Sequence, residues 1–170
     1  GMPNDGLAAD MYDVTQELTL QHEMPAYEIS NHSIKGAESQ HNLIYWRYGD
    51  YIGVGPGAHG RITEGGNRIA TTTTKHPEDW LRGVELQGTS TMDDEIISPD
   101  DQASEYLMMS LRLAEGVNMK RYEKICGIPL NNQLIDKNIE DGLLEVVNHN
   151  LIATIRGKII LNTVIKNLLV

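Results

Sequence analysis

From Ser98 onward the chain is punctuated closely enough that the order of its elements can be read directly. Ser98, Pro99, Asp100 and Asp101 supply an N-cap, a proline at the first helical position and two carboxylates at the positive end of the helix dipole. This spacing predicts a helix to about Ala114, stopped by Gly116. Asn118 caps a second short helix that ends at Gly127, and Asn131 caps a third that ends near Gly142. The runs LLEVV and LIATI then flank Asn148-His149-Asn150, a hairpin signal with asparagine where positive φ is tolerated. A final helix from about Arg156 carries Ile159, Ile160, Val164, Leu168 and Leu169. Three short helices, a hairpin and a closing helix are the elements of a winged-helix-like domain over 98–170, with a separate region over 1–97.

The first region reads differently. Asn4 can cap a helix in which Leu7, Met11, Val14 and Leu18 form one apolar stripe, and such a stripe needs something to pack on. Ala26–Ser30 and Tyr51–Val54 are short strand candidates, the second ending in Gly55-Pro56-Gly57. Thr71–Thr74 reads as an exposed extended segment, and Pro77 opens a helix over Glu78–Leu86. Helix, strand, loop, strand suggests α/β layering, but so few strands make only a piece of an α/β barrel or sheet. The expected class is therefore α+β, a barrel end followed by a winged-helix-like domain. Its unpaired edge or apolar face favours self-association.

Composition removes several functions. The formal net charge is −10, with 7 Lys+Arg against 19 Asp+Glu in residues 1–117 and 7 against 5 in residues 118–170. An acidic surface repels phosphate, and the third predicted helix carries Asp136, Glu140 and Asp141 against Lys137, so no nucleic-acid role is expected. No apolar run approaches the ~20 residues of a membrane span, and the chain reads as cytoplasmic. Cys126 is the single cysteine, which excludes a disulfide framework and any cluster held by several thiolates of this chain. The Gly1-Met2 opening reads as the remnant of a cleaved tag.

Candidate chemistry concentrates in HNLIYWRYGDYIGVGPGAHGR, from His41 to Arg61. On a helix His41 and Tyr45 share a face, with Trp46 beside them. An imidazole can ligate haem iron and aromatic rings can stack on a macrocycle. Equally, His41 and Asn42 can cap a short helix while Tyr45 and Trp46 fill the core. The glycines of GVGPGAHG can let a ligand approach the backbone, or simply end a strand in a tight turn. His59 reads as a ligand, a proton donor or a surface residue. Asp93-Asp94-Glu95 reads as a metal site or a solvated loop, and His32, His76 and His149 have no partners at ligand spacing.

YEISN, HNLIYW and RYGDYIGVGPGAHGR, followed by DDQASEYLMMSLRLAEGVN and Asp141-Gly142-Leu143-Leu144, resemble the region after the core barrel strands of oxygen-independent coproporphyrinogen III oxidase-like radical S-adenosylmethionine proteins, in their HemW branch. The resemblance spans nearly the whole chain and implies that it is the C-terminal portion of a longer protein. His41, Asn42, Tyr45 and Trp46 fill the fixed positions of HNxxYW, the motif proposed to bind haem in that branch, which implies an axial imidazole from His41. The family's CxxxCxxC motif for a [4Fe-4S] cluster is absent from this sequence, so the resemblance implies the cluster and S-adenosylmethionine only in the parent. It also implies haem or a porphyrinogen as the molecule handled, and Gly57, Ala58 and His59 near the S-adenosylmethionine pocket. The alternatives are an oxidase that decarboxylates coproporphyrinogen III and a non-enzymatic winged-helix interaction module.

Overall fold

The computed structural model describes residues 2–92 and 94–169, so Gly1, Asp93 and Val170 lie outside the described residues. In chain order the elements are α1 (Asp5–Gln21), α2 (Gln40–Trp46), β1 (His59–Glu64), β2 (Asn67–Thr72), α3 (Pro77–Gln87), β3 (Glu95–Ile96), α4 (Pro99–Ser110), β4 (Val117–Asn118), α5 (Met119–Cys126), α6 (Asn132–Glu140), β5 (Leu144–Val147), β6 (Asn150–Ala153), α7 (Ile155–Ile159) and α8 (Leu161–Leu168). The fold is mixed helix and sheet, with two antiparallel sheets ordered β1-β2-β3 and β4-β6-β5.

Most helix starts lie where a short polar side chain precedes an apolar pattern. Asn4, Ser98, Asn118 and Asn131 each accept hydrogen bonds from backbone N–H groups of the first turn, which otherwise lack partners. The turn between β5 and β6 places both Asn148 (φ 50°) and His149 (φ 68°) in the left-handed region, as a two-residue hairpin requires. That hairpin gains a third strand, because β4 pairs with β6 on the side away from β5.

Four expectations are corrected. The Ala26–Ser30 and Tyr51–Val54 segments form only isolated bridges, Ala26 to His32, Glu28 to Leu113 and Tyr51 to Arg61. Thr71 and Thr72 belong to β2, which Gly65 and Gly66 fold back onto β1, and Thr71–Thr74 are half-buried. α4 stops at Ser110, since Arg112 and Leu113 bond back to Met109 and Ser110 in a tighter turn. The closing helix breaks at Ile160 (φ −117°, ψ 30°) into α7 and α8.

The core gathers Tyr106, Leu107, Leu111, Val117, Ile135, Leu144, Leu151, Val164 and their neighbours from α4 through α8, with Tyr48 inserted from the earlier region. Gly157 lies against the carbonyl of Leu143 so closely that a Cβ would collide with it, which brings α7 onto the hairpin base. The stripe of α1 behaves otherwise. Leu7, Met11, Val14 and Leu18 are each more than half exposed, and of these Met11 borders a cleft that Ala8, Tyr12 and Gln16 share with Ile29. Among the described residues no helix is long and apolar enough to cross a membrane.

Candidate functional site

α2 carries HNLIYW, and its cap is Ser39, whose Oγ accepts from the Asn42 N–H at 3.4 Å, not His41 or Asn42. His41 is exposed. Its ring meets Tyr45 edge-on, centroids 4.8 Å apart and planes at 84°, and Tyr45 in turn meets Tyr51 at 4.3 Å. The spacing of four thus does put His41 and Tyr45 on one face. Tyr45 and Trp46 are half-buried and do not fill the core; Leu43 and Tyr48 point inward instead. Asn42 donates from Nδ2 to the Tyr27 hydroxyl at 3.2 Å, tying α2 to the YEISN segment. Trp46 is held by its carbonyl, which accepts from Ser110 Oγ at 3.0 Å, and the Arg112 guanidinium lies 5.9 Å from its ring centroid.

The far end of α2 is built from cations that sequence reading did not find. A helix C-terminus presents unpaired carbonyls and partial negative charge. Arg121 donates to the carbonyls of Arg47 (2.8 Å) and Tyr48 (3.3 Å), and Arg68 donates to the carbonyl of Gly49 (2.7 Å). Arg68 also pairs with Asp50 and lies 4.4 Å over the Tyr48 ring. Tyr48, at φ 55°, turns the chain and sends its hydroxyl to Glu105 Oε2 at 2.7 Å. Arg61 closes a fork on the same carboxylate at 2.8 and 3.2 Å. Burial pushes the Tyr48 phenol well up, and its bond to Glu105 adds to this. Burial alone would raise Glu105, but the hydrogen bonds from Arg61 and Tyr48 and the nearby guanidinium charges outweigh it and hold the carboxyl below its ordinary value. Arg61 and Glu105 lie 44 residues apart, so no local pattern joins them. Tyr45, Tyr51, Glu105 and Met108 line a cleft of about 130 Å³ beside this pair, too small to enclose a macrocycle.

Gly57, Ala58 and His59 lie at the start of β1, on a different element from His41. The Gly57 and Ala58 N–H groups are committed to Thr74 O and Thr73 Oγ1, both at 2.9 Å, and His59 is exposed. Cys126 donates from Sγ to the carbonyl of Ile128 at 3.2 Å. Among the described residues no three His, Cys, Asp or Glu side chains gather to hold a metal. One thiol cannot hold an iron–sulfur cluster, so the residues of this chain do not fit that group. Asp94 and Glu95 are exposed, Glu95 pairing with Ala70 at the end of the first sheet.

Residues 97–160 match the family model of the HemN C-terminal domain. The whole chain is HemW/HemN-like, corresponding to the C-terminal part of such proteins. It is 33% identical over 169 residues to "Heme chaperone HemW" of Escherichia coli (strain K12), an alignment covering 97% of this chain and 43% of that protein. It is 36% identical over 126 residues to "Radical S-adenosyl methionine domain-containing protein 1, mitochondrial" of Danio rerio, covering 72% of this chain and 28% of the relative. The solved structure titled "Coproporphyrinogen III oxidase (HemN) from Escherichia coli is a Radical SAM enzyme" superposes with a TM-score of 0.70 at 15% identity, over 98% of this chain and 42% of that one, which shows the fold. The chain spans less than half the length of these relatives.

Proposed function

We propose that this chain is the C-terminal portion of a radical-SAM haem chaperone of the HemW kind, acting in the cytoplasm, and that His41, Asn42, Tyr45 and Trp46 form its haem site. The observation that carries the reading is His41, exposed on α2 with Tyr45 edge-on beside it, free of the burial that would keep it from a ligand. In this reading His41 supplies the axial nitrogen and Tyr45 and Trp46 pack against the macrocycle, while Asn42 fixes the helix through Tyr27. The likeness to proteins named haem chaperones over 97% of the chain supports the same assignment. Residues 1–97 then complete a radical-SAM barrel whose other strands cover the α1 stripe, and residues 98–170 form a winged-helix-like domain. The [4Fe-4S] cluster and S-adenosylmethionine belong to the parent, with Gly57, Ala58 and His59 near the latter, so this chain alone performs no radical chemistry.

Haem binding here is expected to be about micromolar, roughly −8 kcal/mol, because His41 is exposed on α2 and would hold the iron in contact with water. Haemin titration followed at the Soret band compares wild type with His41→Ala. Loss of the band with an unchanged circular dichroism spectrum supports the assignment, and equal spectra remove His41 as the ligand. The oxidase reading, favoured by the structural likeness to HemN, predicts that the full-length protein turns over coproporphyrinogen III and does not hold haem stoichiometrically.

A further inference from the structure

Five arginines pack around α2, and four have settled partners. Arg47 pairs with Glu115, Arg61 with Glu105 and Arg68 with Asp50, while Arg121 is committed to the carbonyls at the helix end. Arg112 is different. It is half-buried just past α4, it has no carboxylate partner among the described residues, and it donates only to the carbonyl of Met108 and to Asn162 Oδ1 at 3.0 Å. The rest of its fork of N–H donors is open. Burial without a counter-charge pushes its guanidinium below the ordinary arginine value.

We propose that Arg112 receives a propionate of the haem held on His41, as a carboxylate-binding residue of the same site; this rests on the haem reading above. The position suits it. Arg112 sits 5.9 Å from the Trp46 ring and donates to the carbonyl of Met108, whose side chain lines a cleft with Tyr45, and Tyr45 meets the His41 ring edge-on. Tyr45, Tyr51, Met108 and Met109 give that cleft an aromatic and thioether side against which a macrocycle edge can rest, while its charged members Arg61 and Glu105 are already paired with each other. The chemistry suits it as well. Haem carries two carboxylates, and a chain of net charge −10 repels them unless a cation is placed where they land. A guanidinium fork matches a carboxylate in both charge and shape.

The test titrates wild type, Arg112→Gln and Arg112→Lys with haemin and with haemin dimethyl ester, whose propionates are neutral. Arg112→Gln is expected to weaken haemin about tenfold and to leave the diester unchanged, and Arg112→Lys to fall between. If Arg112 only ties the end of α4 to α8, both probes weaken equally in the variant, and that result overturns the proposal, as does no weakening of either. A wild type that gives no Soret band with haemin overturns the haem reading itself and this assignment with it. A wild-type band that persists unchanged in Arg112→Gln removes Arg112 alone.

Discussion

Two amphipathic surfaces of this chain look alike in sequence and meet opposite fates. On α4 and α8 the apolar positions Leu107, Val164 and Leu168 disappear into the core, at 0%, 0% and 5% exposure. On α1 the equally regular Leu7, Met11, Val14 and Leu18 stay more than half exposed, and Ile52 and Val54, elsewhere in the first 97 residues, are more exposed still. The difference lies in what faces them. From α4 onward, three helices, a three-stranded sheet and the closing pair α7–α8 enclose one another within about 70 residues of chain. α1 meets only open clefts, shared with the loop residues Pro25, Ala26, Ile29 and His32 and with the edge of α7. Periodicity reports that a helix has an apolar face; it carries no information about the partner that covers it.

The sharpest test of this contrast is Leu107→Ala. Leu107 is fully enclosed, so the truncation leaves a cavity and is expected to cost about 3 kcal/mol, a fall of roughly 10 °C in thermal unfolding for a chain this size. Scanning calorimetry or thermal circular dichroism measures it. A loss below about 1 kcal/mol would mean that the region after Ser98 is not the stable half.

Legibility followed the same division. Caps and turns act within four residues, so Asn4, Ser98, Asn118, Asn131 and the Asn148-His149 turn were readable with no knowledge of the fold. Strand pairing acts across the chain, so Ala26–Ser30 and Tyr51–Val54 alternated as strands do yet found only isolated bridges. The Gly65-Gly66 turn was a local signal, flanked by residues suited to a hairpin, and was overlooked. In the candidate site the one-face relation of His41 and Tyr45 was local and legible. The cations at the end of α2 were not, because Arg68 and Arg121 reach it from a strand and a helix far along the chain, and Arg61 joins them only through Glu105 and Tyr48.

The Tyr48–Glu105–Arg61 cluster joins the two regions and gives the intermediate effect. Glu105→Gln removes a forked ion pair whose side chains are 21% and 25% exposed, and is expected to cost about 1–2 kcal/mol near neutral pH. The sign with pH follows from the lowered Glu105 value. A carboxylate held below its ordinary pKa of about 4.3 adds stability above that pH and loses it as the pH falls through the lower folded value. Wild type and variant should therefore differ most at neutral pH and converge in strong acid. Urea unfolding across pH measures this, and a gap that persists at the acid end would assign the loss to packing.

The smallest effect on stability is expected on α1. Met11→Ser with Val14→Ser changes two residues that are 56% and 53% exposed, so each should alter the unfolding free energy by no more than about 0.5 kcal/mol. The same change removes half of an apolar stripe that water faces. Where wild type associates through that stripe, the double variant should sediment as monomer at concentrations where wild type does not. A loss of stability approaching that of Leu107→Ala would break the contrast from the other side, because it would show that α1 already has a partner within this chain.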